Sequence, residues 1–370
     1  MQLPALPDDD DKKWVYRLHT AVKHQILQKY LGAWVPILGK WNKRLVYVDG
    51  FAGRGRYSKG EAGSPLRVID TLVERMDTFP GSPEYVTCHF IEAHAGNRDN
   101  LSAELTQHPN AHDRRIGYRV HPHTFEADAS GIMREIRATG EPAFFFVDPF
   151  GYDDMPMSLL EEILQLPRTE MLINLMTSFI HRGLAWNTDP KMAHTLTTLF
   201  GSQSWQMLAV QQDLPMHQAI VQLYCDGLKK LGAEYTVPFP MGHETIRKII
   251  YYLIHVTNSD MGARIMKDQM IKAGTSGQFG FSLDQPLGHV AMIHHDLDML
   301  PELLIQNFKG RTLRFEQVIA GTLDTSGAYM QADYRRVVKD LATAGKVKIH
   351  RVKNPAGKGL DYKDLVEFLH

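Results

Sequence analysis

The sequence predicts an α/β protein built on an open, largely parallel sheet. One observation is that a short apolar run at 45–48 stops at Asp49, and a second, at 144–147, stops at Asp148. Another is that the intervening run at 85–91 stops at Glu92. Buried parallel strands read as continuous apolar runs. Open α/β sheets bind ligands at the carboxyl ends of their strands. Three carboxylates closing three strands therefore mark a ligand edge. The third observation is that stretches between the runs carry apolar residues at helical spacing.

Taken in order, residues 8–12 (Asp-Asp-Asp-Asp-Lys) form an exposed acidic opening. They match an enterokinase cleavage sequence; a cloning scar and native sequence both fit, and they enter no fold argument. Over 17–38, Val22, Ile26, Tyr30, Leu31, Trp34 and Leu38 recur at helical spacing, which predicts a helix ahead of the first strand. Its Lys23 and Lys29 read as solvated charges, with contact to a substrate phosphate as the alternative. The first strand leads into Asp49-Gly50-Phe51-Ala52-Gly53-Arg54-Gly55. Its glycines let the backbone turn sharply and approach a ligand closely. The pattern lacks the third glycine of the dinucleotide fingerprint, and an ordinary glycine turn also fits it. The loop over 51–63 is long and carries Arg54, Arg56 and Lys59, which points to function at the ligand edge. Ser64-Pro65 reads as a helix start, a Ser cap followed by Pro. Leu66, Ile69, Leu72 and Val73 then face inward.

Further on, 118–125 reads as the third strand and 132–138 as a helix. His121 and His123 fall on one face of that strand; no further ligands have metal spacing, so both read as structural. A helix at 158–166 and a strand at 171–176 follow. Residues 183–233 are helix-rich, with Leu199, Phe200, Trp205, Leu208, Ile220 and Leu223 apolar. This segment reads as an insertion placed to cover the site. Two more strands, 235–240 and 249–256, precede a helix at 259–272. The Gly-, Gln- and Ser-rich stretch that follows reads as a linker. The tail, from about residue 300, reads as a separate unit. Helical patterns at 315–323 and 334–341 flank Thr325-Ser326-Gly327; a strand at 346–352, a turn at 354–357 and a return at 360–362 complete the order of a winged helix. From Lys309 to Lys353 there are ten basic residues against four acidic ones. Arg335, Arg336, Lys339, Lys346 and Lys348 are the candidate phosphate contacts; docking of a protein is the alternative.

The 370 residues are 44% hydrophobic and 22% charged, with a net charge of −1. That balance excludes a uniformly basic nucleic-acid coat but allows a local patch. No run approaches the ~20 apolar residues of a membrane span, and no signal peptide opens the chain. The two cysteines, Cys88 and Cys225, give neither a disulfide framework nor zinc spacing. The expectation is a cytoplasmic protein without a metal.

The series 23–38, 47–57, Gly63-Ser64-Pro65-Leu66, Phe90-Ile91-Glu92, 145–151 and Leu172-Ile173-Asn174-Leu175-Met176 resembles class I S-adenosylmethionine-dependent methyltransferases. More narrowly, it resembles the three-Cys-motif partner protein (TcmP) family. The resemblance implies a Rossmann-like class I methyltransferase sheet whose last strand is antiparallel, with a helical insertion and a C-terminal winged-helix domain. The expected division is an N-terminal helical segment (1–44), a core in two parts (45–182 and 234–275), the insertion (183–233), the linker (276–299) and the winged helix (300–370). S-adenosyl-L-methionine is the implied cofactor, with Asp49, Phe51, Ala52, Gly53 and Gly55 at its methionyl end. Glu92 would accept from the ribose hydroxyls, and Asp128 would touch the adenine, Glu126 competing for that role. Asp148-Pro149-Phe150-Gly151 resembles the Asp-Pro-Pro-Tyr motif of nucleobase amino-methyltransferases, and is closer to the Asp-Pro-Phe-Gly of a tRNA guanine-N2 methyltransferase family. The implied role is catalytic: the carboxylate accepts from an exocyclic amine while Phe150 or Tyr152 stacks on the base. A plain strand-ending turn is the alternative. The expected function is N-methylation of a base in RNA or DNA, with a three-Cys-motif protein as a possible companion. A non-catalytic adaptor and a protein or small-molecule methyltransferase are the rivals.

Overall fold

The computed structural model describes residues 14–149, 151, 155–209, 214–243, 248–274, 280–281, 299–323, 329–352 and 359–369. Helix α1 (Leu18–Gly39) precedes the strand β1 (Arg44–Asp49). Helix α2 (Ser64–Thr78), β2 (Tyr85–Ile91), α3 (Ala95–Gln107), β3 (Ile116–His121), α4 (Phe125–Thr139) and β4 (Ala143–Val147) follow. Next come α5 (Met157–Leu164), β5 (Thr169–Leu175), α6 (Thr177–Leu184), α7 (Pro190–Phe200) and α8 (Met216–Lys230). Strands β6 (Tyr235–Gly242) and β7 (Ile249–Thr257) and helix α9 (Asp260–Ala273) close the sheet.

The seven strands lie in the order β3-β2-β1-β4-β5-β7-β6. Pairs β1–β2, β1–β4, β2–β3 and β4–β5 are parallel, while β7 runs antiparallel to both neighbours. This is the Rossmann-like sheet that the resemblance implies, reversed strand included. Its switch point lies between β1 and β4, where the crevice of such a sheet opens.

Alternation along the strands sorts the core into two layers. Leu45, Tyr47, Phe144, Phe146, Leu172 and Leu253 face one side, with α1, α2 and α9. Val46, Val48, Phe145, Val147, Ile173 and Ile254 face the other, with α4 to α8. Helix α1 is held by Ile26, Leu27, Tyr30, Leu31 and Trp34, all buried. It is also tied by Tyr30, whose hydroxyl donates to Glu170, a carboxylate that also bonds His255 Nε2 at 2.9 Å.

Several expectations are corrected. The third strand ends at His121, and Phe125 opens α4, because Thr124 caps that helix by accepting from Ala127 N. His123 therefore lies beyond the strand and bonds Asp128, while His121 pairs with His89 at 2.9 Å. Gly63, not Ser64, is the N-cap of α2, and Ser64 is its first residue. Among the described residues, the helical segment after β5 packs on the second face of the sheet. Leu196, Leu199, Trp205, Ile220, Tyr224 and Leu228 all bury against the second face of the sheet.

The tail contains α10 (Met299–Phe308), β8 (Thr312–Arg314), α11 (Phe315–Ala320), α12 (Gln331–Thr343), β9 (Val347–His350) and β10 (Leu365–Phe368). Its sheet has the order β8-β10-β9. The returning strand is β10, not 360–362, and α11 stops short of residue 323. Thr325-Ser326-Gly327, the turn at 354–357 and most of the linker lie outside the described residues. The tail's apolar core is continuous with the α1 face of the sheet. Polar contacts fasten it to α9: Lys267 Nζ donates to Leu323 O at 3.2 Å, and Gln331 donates twice to Asp268, at 3.0 and 3.1 Å.

Candidate functional site

A cavity of about 210 Å³ opens at the carboxyl ends of β1, β4 and β5, beneath the start of α1. Strand alternation explains its floor. Asp49 continues the Leu45–Tyr47 side, Asp148 the Phe144–Phe146 side, and Asn174 the Leu172 side, so all three turn toward α1. Tyr251 joins them from β7.

Asp49 is fully buried. Its Oδ1 accepts from Phe51 N at 3.2 Å. Its Oδ2 closes no hydrogen bond among the described residues, with the Ser64 and Tyr47 hydroxyls beside it. Burial pushes the carboxyl up to about 7, and Asp148 adds to that push. The loop after it turns on Gly53 and Gly55, at φ of +67° and +86°. A Cβ on Gly53 would stand 2.7 Å from the Trp14 ring, so this position needs glycine for conformation and for space.

Asp148 sits in the opposite electrostatic setting. Its Oδ2 forms an ion pair with Lys23 Nζ, and its Oδ1 accepts from Asn174 Nδ2 at 2.6 Å. Lys23 is only 7% exposed and lies 5.7 Å from the centre of the Tyr251 ring. It is not a solvated charge; Lys29 is exposed, as expected. Lys23 falls in step with Ile26, Leu27, Tyr30 and Trp34, so the helical period carried the signal that it points inward. Asn174 was also overlooked as a site residue. Its signal was a lone amide in the otherwise apolar strand Leu172-Ile173-Asn174-Leu175-Met176.

Aromatic rings wall the cavity. Tyr57 lies 4.8 Å from Tyr16, 6.0 Å from His24 and 6.1 Å from Trp14, centre to centre. Opposite, His19 meets Tyr251 edge-on at 5.9 Å. Burial, with Lys23 nearby, holds His24 well below the usual histidine range, so it is neutral.

Phe51, Ala52, Gly53, Gly55, Asp148 and Pro149 line the cavity, with Asp49 beneath them. Phe150 and Tyr152 lie outside the described residues. Glu92 is buried at the end of β2, accepting from His94 N at 2.8 Å, and is not among the lining residues. Asp128 is turned to His123, whose backbone N–H and ring each bond it at 2.9 Å. In the tail, Arg336, Lys339, Lys346 and Lys348 are exposed. Arg335 instead lies over the rings of Tyr362 and Phe315, at 4.5 and 5.6 Å, and donates to Leu360 O.

No family model matches the chain, and no curated protein matches it. Solved structures do. One is Trm1 from Pyrococcus horikoshii with S-adenosyl-L-methionine, at 11% identity, 97% of this chain, 93% of that chain and a TM-score of 0.40. Another is an O-methyltransferase from Bacillus cereus in complex with SAH, at 13% identity, 69% of this chain, 94% of that chain and a TM-score of 0.33. At such scores neither carries a functional argument; the class of the fold rests on the strand order and the reversed β7.

Proposed function

We propose that the chain is an S-adenosylmethionine-dependent methyltransferase that methylates an exocyclic nitrogen of a base in RNA or DNA. One observation carries the reading. At the switch point between β1 and β4, a buried carboxylate with an oxygen that closes no hydrogen bond among the described residues adjoins a loop turning on two positive-φ glycines. A buried anion of this kind needs a cation or donor to offset its desolvation. The methionyl ammonium of the cofactor suits Asp49, and Glu92 at the next strand end suits its ribose hydroxyls. When bound, the cofactor supplies an electrophilic methyl group. The chain's own part is alignment and exclusion of water, which can be worth about 7–11 kcal/mol. The buried rings around the cavity suit a flat acceptor, and flat bases stack on such rings.

The tail's order of helix, strand, helix, helix, strand, strand supports a winged helix. Arg336, Lys339, Lys346 and Lys348 make an exposed basic set on it, which supports nucleic acid as the partner. The narrower TcmP resemblance, with a three-Cys-motif companion protein, rests on the residue series alone. Among the described residues no helix is long and apolar enough to cross a membrane.

The test is calorimetry of S-adenosylmethionine with the full chain. Binding that Glu92→Ala and Gly53→Val both weaken is the expected result. No binding at millimolar cofactor refutes the reading. Cofactor binding without methyl transfer to any RNA, DNA or protein pool would favour the adaptor.

A further inference from the structure

We infer that Asn174 is the residue that reads the methyl acceptor, and that Lys23 and Asp148 position it. This rests on the methyltransferase reading and names the atom that reading left open.

The argument runs through donors and acceptors. The Lys23 ammonium has only donors, and it is given to Asp148 Oδ2. Asp148, so paired, is a carboxylate and can only accept. Its Oδ1 takes a hydrogen bond at 2.6 Å from the Asn174 amide. An amide's orientation follows from its hydrogen-bond network, and here the network admits one: Nδ2 toward Asp148. Asn174 Oδ1 is thereby committed to being a free acceptor. It is buried without a partner among the described residues, on a side chain 4% exposed that lines the cavity. A buried amide oxygen left without a donor carries a desolvation cost. A ligand bringing an N–H to that point recovers the cost.

The same contacts give Asp148 a positioning task. Both of its oxygens already have donors, from Lys23 and from Asn174. It holds the amide's rotamer, and the amide oxygen meets the substrate. A neutral oxygen suits an uncharged exocyclic amine, which keeps its lone pair for the methyl while one N–H points at Oδ1; as N–CH3 forms, the S–CH3 bond would break, leaving a thioether, and the amine's surplus proton would be lost to bulk water. An acceptor with no N–H or O–H leaves Asn174 Oδ1 unpaired, and sites of this type reject such analogues strongly.

The charged and titratable groups around the pair are His19, Lys23 and His24 from α1 with Arg17 just before it, Tyr47 and Asp49 from β1, Arg56 and Tyr57 from the loop that follows, and Tyr251 from β7. They make Asn174→Asp informative. A second carboxylate beside Asp148 must share a proton with it at low pH. In that state its O–H donates to Asp148 and its C=O is left for the acceptor, as in Asn174. At high pH both carboxylates are charged and the arrangement is lost.

The experiment uses the full chain, labelled S-adenosylmethionine, and total cellular RNA and DNA as probes, with cofactor calorimetry alongside. Asn174→Ala and Asn174→Leu should lower transfer about 10²-fold, the scale of a lost preorganised contact, with cofactor affinity unchanged. Asn174→Asp should recover transfer at acidic pH and lose it as pH rises. Transfer by Asn174→Leu equal to wild type overturns the inference and spares the methyltransferase reading. So does a loss in Asn174→Asp that is the same at every pH, since that marks a structural role. Cofactor binding by wild type with no transfer to either nucleic acid overturns the nucleobase reading and this inference with it.

Discussion

The ends of β1 and β4 look alike in sequence and behave as opposites. Each is an apolar strand closed by an aspartate, and the two strands are neighbours. Asp49 is fully buried and holds an oxygen with no partner among the described residues, and its carboxyl is pushed up to about 7. Asp148 is partly exposed and paired on both oxygens. One is a carboxyl that burial keeps protonated up to about 7; the other has its cation built in. The difference teaches that a strand-ending carboxylate is a position, and that its chemistry is set by what covers it. Here α1 brings Lys23 to one strand end, while Trp14 packs on the glycine loop that follows the other.

That contrast predicts opposite signs for charge removal. Lys23→Met should destabilise by about 2 kcal/mol, because it strands a partly buried carboxylate. Urea unfolding would measure it, and the cost should shrink when Asp148→Asn is already present. A loss under about 1 kcal/mol would mean the pair behaves as a surface bridge.

Asp49→Asn should do the reverse. An acid raised from 3.8 to about 7 keeps its proton longer when folded. Stability is therefore lost as pH climbs from the unfolded value to the folded one, and stays lower above it. The substitution should be neutral near pH 4 and stabilising by about 2 kcal/mol at pH 8, roughly half the linkage limit of 1.36 kcal/mol per unit. It should also weaken S-adenosylmethionine, a loss of binding coupled to a gain in stability. Destabilisation at pH 8 would show that Asp49 already has a partner.

Cofactor affinity itself should rise with pH toward about 7, by at most about tenfold per unit, because Asp49 must shed its proton to hold an ammonium. Above about 8 it should fall as the ligand's own α-amino group titrates. Calorimetry between pH 5.5 and 9 would trace that bell, and a flat profile would remove Asp49 from the methionyl end.

The smallest effects belong to the tail, where Arg335 packs on two rings while Arg336 is exposed, 4.0 Å from Asp333. Arg336→Ala and Lys339→Ala should each reduce the salt dependence of RNA binding by about one counterion. Arg335→Ala should leave that slope alone and cost about 1 kcal/mol of stability through lost ring contacts. Point substitutions are the sharper probe here, because deleting the tail would expose the apolar surface it shares with the sheet.

Much of this molecule was legible without coordinates. Continuous apolar runs gave β1, β2 and β4, helical spacing gave α1, and the glycines of the β1 loop marked the ligand edge, because all of these depend on neighbours a few residues apart. Boundaries that depend on capping were harder: Phe125 could extend a strand or open a helix until Thr124 was seen to cap α4. The helical segment after β5 could not be assigned a side, because an apolar stripe names a buried face without naming what buries it. The site's electrostatics were further out of reach. Lys23 meets Asp148 across 125 positions and Asn174 meets it across 26, and no local pattern encodes such a meeting. The sequence by itself placed Asp49, Glu92 and Asp148 at strand ends, since a period of two and a run of apolar residues suffice for that. Only the tertiary structure decided which aspartate is paired and which is left waiting, because desolvation and ion pairing depend on the helix that crosses above them.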